Sequence, residues 1–249
     1  MERKVLLITG GTRGIGAAVT RLAVARGYVV AASYRANDAA AAELTTAIEQ
    51  AGGSCTAIKA DIASEAEVVR LFADVDRRFG RVDALVNNAG IVDRLGRVED
   101  IDEARLNRVF ATNVNGAFLC AREAVRRMST ARGGRGGAIV NLSSRAARIG
   151  SANEYVHYAA SKAAVEALTV GLAKEVALEG IRVNAVAAGL TKTAMQLDGG
   201  DPTRLPRLVP TIPMQRAGEP EEIAQAVVWL LSDEASYITG SIVDVSGGR

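Results

Sequence analysis

Tyr158 and Lys162, in the run NEYVHYAASKAAVEAL, have the types and spacing that suit proton transfer. A phenol ionises near pH 10 and is a poor base at neutral pH unless a nearby cation favours the phenolate. Four residues apart on a helix, two side chains share one face, so Lys162 can supply that cation. Tyr155 has Ala159 in the equivalent place and lacks it. His157, the only histidine, sits about 100° from Tyr158 around a helix and faces elsewhere. The chemistry that fits is general acid/base catalysis at an oxygen, one group giving a proton to a carbonyl on reduction and taking it from an alcohol on oxidation.

A second motif suits an anion. In VLLITGGTRGIGAAV, Gly10, Gly14 and Gly16 follow an apolar run and open an Ala-rich helical pattern. Glycine there lets the backbone turn tightly and approach a pyrophosphate, which free N–H groups and the helix dipole then favour. The spacing G-x-x-x-G-x-G differs from the commoner G-x-G-x-x-G turn, and no lysine with Ser/Thr closes it as in a P-loop.

Both motifs need a scaffold. The runs VLLIT, YVVAAS, CTAIKA, VDALVNN, GAIVNLSS, IRVNAVAA and SIVDVSG alternate with Ala-rich, charge-dotted helical segments. That alternation predicts an α/β fold of βαβ crossovers, and the nearly all-apolar strands fit a parallel sheet covered on both faces. The 249 residues contain no Pro/Ser-rich linker and no long repeat, so 1–249 reads as a single domain. The segment from about 189 to 217 is the least regular and holds four of the five prolines. A loop of that length inside a compact domain is a functional lid or a disordered segment.

Composition narrows the function classes. Thirty basic and 28 acidic residues, net +2, are mostly interspersed, which gives no strong field for nucleic acid or a membrane surface. The RRMSTARGGRGG stretch reads as a solvated helix end and a flexible loop. The apolar run in MERKVLLITGG is too short for a signal sequence or a membrane span. Cys55 and Cys120 are isolated, without disulfide or ligand spacing, so a reducing, cytoplasmic location and no metal site are expected.

Five motifs in this order, TGGTRGIG, NNAG at 87–90, TNVNG at 112–116, NLSS at 141–144 and YAASK at 158–162, resemble the short-chain dehydrogenase/reductase family almost end to end. The resemblance implies a Rossmann-type fold, a doubly wound sheet of seven parallel strands, an NAD(H) or NADP(H) cofactor and a homotetramer. It implies Tyr158 as acid/base, Lys162 as a holder of the nicotinamide ribose, Ser144 on the substrate oxygen, and Asn113 supporting a water that leads protons to the lysine. Around the cofactor it implies Gly10, Thr12, Arg13, Gly14, Ile15 and Gly16 in the glycine turn, and Asp61 and Ile62 beside the adenine. Asn88, Ala89 and Gly90 fall in the adjoining ribose region, and Gly189, Thr191 and Thr193 near the carboxamide. Two departures stand out. Fourteen positions separate Ser144 from Tyr158 where thirteen is usual, which keeps Ser143 as an alternative, although it alternates to the other strand face. Ala188 precedes Gly189 where the family usually has proline, which predicts a less rigid backbone there.

Cofactor choice in such folds is made near the end of the second strand, where a carboxylate accepts from a ribose 2'-OH or a cation holds a 2'-phosphate. Here Tyr34 fills the usual acidic position, Arg35 follows, and Arg13 lies in the glycine turn, a pattern that favours NADP(H) over NAD(H). Asp38 dissents, since a small loop shift would bring it toward the ribose.

The leading expectation is therefore an NADP(H)-dependent oxidoreductase interconverting a secondary alcohol and a ketone. An NAD(H)-dependent sugar or alcohol dehydrogenase of the same family is the alternative. A cofactor-binding sensor without turnover is the reading from another class, and the intact Tyr/Lys pair disfavours it. Resemblance to 3-oxoacyl carrier protein reductases raises an acidic carrier protein as a partner, steered by Lys174 and the arginines from Arg126 to Arg135, against the plainer reading of a solvated face. In the lid, Leu197, Leu205 and Leu208 suggest an apolar side to the pocket, and Arg204 and Arg207 suggest contact with an anion.

Overall fold

In the computed structural model, which describes residues 3–249 apart from the side chain of Leu197, the expected strands and helices alternate along the chain. The first half runs β1 (Val5–Ile8), α1 (Gly14–Ala25), β2 (Val29–Tyr34), α2 (Asp38–Gln50), β3 (Cys55–Lys59), α3 (Glu65–Phe79) and β4 (Ala84–Asn87). Next come α4 (Glu103–Phe110), α5 (Gly116–Met128), β5 (Gly137–Ser144), the single turn α6 (Ala146–Ile149) and the long α7 (Val156–Val176). The chain closes with β6 (Ile181–Ala188), short helices α8 (Met195–Asp198) and α9 (Arg204–Leu208), α10 (Pro220–Leu231) and β7 (Ile242–Val245).

All seven strands are parallel, in the order β3-β2-β1-β4-β5-β6-β7. Side chains alternate along each strand and sort the core into two layers. Leu6, Ile8, Val30, Val86 and Val140 pack under α1, α2 and α10, whereas Val5, Leu7, Ala31, Leu85 and Ile139 pack under α3, α5 and α7. The sheet is doubly wound, with helices on both faces, and burial of both faces is why the strand runs are almost purely apolar.

The strand order reverses between β1 and β4, where two crossovers leave in opposite directions and a crevice opens beyond the strand ends. The segment expected as a lid is not structureless. A parallel bridge between Thr191 and Gly218 closes its base, and α8 and α9 stand on it. The expectation for Leu197 falls on a side chain outside those described. Among the described residues no helix is long and apolar enough to cross a membrane.

Candidate active site

The carboxyl ends of the strands, the glycine turn and the lid enclose one cleft of about 990 Å³. At its floor β1 passes through Gly10, with φ at +61°, into α1. No side chain caps the first turn of α1 and no acidic residue lies in it, so its N–H groups and positive dipole end are left for an anion. Asn88 Nδ2 ties the turn to β4, donating to the carbonyls of Thr9 and Gly10 at 2.9 Å. Gly16 stands behind the turn rather than on the cleft wall. A Cβ there would collide with the Gly10 carbonyl and the Asn88 side chain, so this glycine permits close packing.

Thr12, Arg13, Gly14 and Ile15 line the cleft together with Tyr34, Arg35, Asp61, Ile62, Asn88, Ala89 and Gly90. Thr193 reaches across from the lid, 3.3 Å from where a Cβ of Gly14 would stand, and Gly189 and Thr191 line the same side. At the end of β2, the Tyr34 hydroxyl donates to Asp38 at 2.9 Å and Lys59 of β3 grips both oxygens of that carboxylate at 3.0 Å. These bonds hold the Asp38 carboxyl below its usual range. Arg13 and Arg35 are exposed, and neither has a side-chain partner among the described residues.

Tyr158 and Lys162 emerge from the first two turns of α7 into the middle of the cleft, the ammonium 5.8 Å from the phenol ring centre. Lys162 is 5% exposed, and its Nζ donates to the Leu142 carbonyl of β5 at 2.7 Å. Burial brings its pKa down to about 8. The Tyr158 phenol is pushed up by burial, and a hydrogen bond from Ser144 and the nearby Arg204 charge pull the other way. Ser144 Oγ also accepts from Ala146 N at 3.1 Å. Ser143 is committed elsewhere, to Glu166 of α7 at 2.9 Å. Between Ser144 and Tyr158, in the turn after α6, Gly150, Ser151 and Asn153 take positive φ.

Asn113 does not line the cleft. It is buried in a π-type turn, Ala111–Asn115, between α4 and α5, with Oδ1 accepting from Ile91 N at 2.8 Å and Nδ2 donating to Ile91 O and Ser161. Gly90 lies between this side chain and the lysine. A Cβ on Gly90 would stand 3.3 Å from Asn113 Oδ1 and 3.4 Å from Lys162 Nζ. His157 faces away as expected, with Nε2 3.0 Å from the Val92 carbonyl. Ala188 needs no proline to be held. Its carbonyl accepts from Arg145 N at 3.0 Å, Gly189 N donates to Val245 O at 2.9 Å, and a Cβ on Gly189 would come within 2.6 Å of Ser246 Cα.

Sequence reasoning missed the ion pairs that tie the segment expected as a lid to the start of α7. Glu154, just before Tyr155, takes Arg204 on one carboxylate oxygen and Arg207 on the other, each at 2.9 Å. The Arg204 guanidinium lies 4.9 Å over the Tyr155 ring and donates to Gln196 at 2.8 Å. Arg204 and Arg207, expected to meet an anionic ligand, are thus paired within the protein. Gln196, Tyr155, Arg204 and Arg249 also line the cleft, and no motif marks them. Cys55 and Cys120 are buried free thiols raised by burial to about 11 and about 12.

The donor set fits a nicotinamide dinucleotide. It has an uncapped helix end for the pyrophosphate, a long cleft across the strand reversal, and a phenol with a lysine at its centre.

Comparison with known proteins agrees. Residues 10–249 match a family model described as enoyl-(acyl carrier protein) reductase. The oxidoreductase YgfF of Escherichia coli (strain K12) is 53% identical over 245 residues, covering 98% of this chain and 99% of that protein. An acetoacetyl-CoA reductase of Rhizobium meliloti (strain 1021) is 40% identical over 246 residues, covering 99% and 98%. The solved structure of a short-chain dehydrogenase/reductase from Serratia marcescens BCRC 10948 superposes with a TM-score of 0.90 at 34% identity, covering 98% of this chain and 97% of that one.

Proposed function

The chain belongs to the short-chain dehydrogenase/reductase family of oxidoreductases, and from that premise we propose that it reduces a ketone to a secondary alcohol with NADPH, Tyr158 serving as the acid. The observation that carries this reading is the Ser144–Tyr158–Lys162 constellation in the cleft that also contains the glycine turn. The cofactor, when bound, supplies the hydride. Gly10, Gly14 and the first turn of α1 would hold its pyrophosphate, and Lys162 its nicotinamide ribose. Ser144 orients the substrate oxygen, Tyr158 gives it a proton, and the Lys162 charge stabilises the phenolate left behind. Asn113, behind Gly90, supports the path by which the lysine is reprotonated. Residues 1–249 act as one catalytic unit, with 189–217 as its lid.

NADP(H) is favoured because two guanidiniums without a side-chain partner among the described residues, Arg13 and Arg35, line the cleft by the end of β2 while Asp38 is occupied by Tyr34 and Lys59. A 3-oxoacyl thioester is a reasonable substrate class, in keeping with the acetoacetyl-CoA named for one relative. Electrostatic docking of an acidic carrier protein has weaker support, since Arg126 and Arg127 are already paired with Glu123 and Asp76. The buried thiols suit a reducing cytoplasm.

The test is binding of NADPH and NADH to the wild type and Arg35→Ala, followed by a ketone panel read by loss of nicotinamide absorbance. NADPH is expected to bind more tightly, with the preference falling roughly tenfold or more in the variant. Tighter NADH binding, or NADPH binding with no turnover of any ketone or alcohol, would refute the reading.

A further inference from the structure

We propose that Arg249 is a specificity-determining residue: the ketone this enzyme reduces carries an anionic group of the carboxylate type, which Arg249 holds beside Arg204 in the cleft. The proposal rests on the hydride-transfer reading above but departs from the thioester suggested there: it puts a free carboxylate on the ketone in place of the neutral thioester.

Five arginines surround this end of the cleft, and four of them are paired. Arg145 and Arg148 reach Asp244 at 2.9 and 3.0 Å, while Arg204 and Arg207 share Glu154. Arg249 is the exception. It lines the cleft with Tyr158, Tyr155 and Ser144, yet its guanidinium has no hydrogen bond or ion pair among the described residues. Its backbone is fixed, the carbonyl accepting from Arg145 Nε at 2.6 Å and from Ser246 Oγ at 3.2 Å. The side chain therefore starts from an anchored position on the wall.

An anion attracts its charge, but none among the described residues pairs with it. The Arg204 charge repels it, and Glu154, the anion that attracts it, already spends both oxygens on Arg204 and Arg207. Asp198 also lines the cleft, with no ion pair to Arg249. A half-buried guanidinium without a paired counter-charge is held at a cost, which a planar two-oxygen anion relieves through paired charge-assisted hydrogen bonds. Arg13 and Arg35, the other cleft arginines without a side-chain partner among the described residues, would hold the cofactor's phosphate in that reading, which leaves Arg249 for the substrate.

The experiment compares keto acids of increasing chain length with their methyl esters, in wild type, Arg249→Gln and Arg249→Lys, with NADPH as reductant. At the best chain length, the wild type is expected to favour acid over ester by about tenfold or more in kcat/KM. The ratio is expected to fall toward one in Arg249→Gln and to recover in large part in Arg249→Lys. An acid-to-ester ratio that is the same in wild type and Arg249→Gln overturns the proposal. If neither acid nor ester is turned over, the hydride-transfer reading fails on its own, and calorimetric binding of the same pairs to the NADP+ complex decides the rest. Tighter binding of the acid that weakens in Arg249→Gln upholds the anion site, and equal binding of acid and ester overturns it.

Discussion

Burial acts in opposite directions on the two central side chains, raising the Tyr158 phenol and lowering Lys162 to about 8. A phenol raised in this way stays protonated at neutral pH, ready to donate, so reduction should hold across neutral pH while alcohol oxidation rises as the solution becomes alkaline. Initial rates in both directions against pH check this. The lysine carries a stability consequence. Between pH 8 and 10.5 the unfolded chain binds the Lys162 proton and the folded protein has lost it, so stability contributed at this site rises with pH across that window. The gain should total about 3 kcal/mol in the cofactor-free protein. Denaturant melts of wild type and Lys162→Met should therefore diverge between pH 8 and 10.5, the wild type gaining on the variant, and parallel curves would contradict the shift. That Tyr158 and Lys162 share one helix face was legible from periodicity, whereas their proposed role was legible only through the accompanying family motifs. Glu154 and Arg249 were not, because their importance comes from side chains that only the tertiary fold brings near.

At the scale of elements, the strands were legible almost to the residue, since burial on both faces writes itself as an apolar run. The lid was legible as an interruption but not as a structure. Helices as short as α8 and α9 have too few internal hydrogen bonds to announce themselves, and they persist through contacts such as Leu95 N to Gly199 O at 3.2 Å and the Glu154 clasp. The clasp gives a prediction. Glu154 and Arg204 are both largely buried, so Glu154→Ala leaves a buried guanidinium unpaired and should cost about 3 kcal/mol or more in stability. The same change should raise the KM for ketone several-fold while leaving the NADPH dissociation constant within about twofold, because the clasp touches the lid and not the glycine turn. A KM that does not move would show that the lid closes without it. The π-type turn holding Asn113 was likewise invisible, since TNVNG continues a helical pattern without punctuation.

For the whole molecule, the strand order fixes where the chemistry occurs: the reversal between β1 and β4 puts the cleft at one end of the sheet, and every motif lies at that end. Order along the chain does not reveal order in space, so resemblance supplied the seven parallel strands and only the structure supplied their order. The surface carries one further expectation. Phe118 of α5 is 50% exposed, and Ala160, Ala163, Ala167 and Gly171 form an exposed stripe of small residues along α7. We read these faces as the contact that builds a homotetramer. Light scattering on a sizing column should give about four times the chain mass of 26.0 kDa, and Phe118→Glu should reduce it. A monomer at micromolar concentration would sink the oligomer.

The central claim is that Tyr158, and not its neighbour Tyr155, gives the proton. Single-turnover oxidation of bound NADPH by a reactive ketone, in wild type, Tyr158→Phe and Tyr155→Phe, tests it most directly. Tyr158→Phe should slow the step by about 10²- to 10⁴-fold with NADPH still bound, and Tyr155→Phe should slow it far less. A Tyr158→Phe protein that reduces the ketone at the wild-type rate, or a Tyr155→Phe protein that suffers the larger loss, would contradict the assignment.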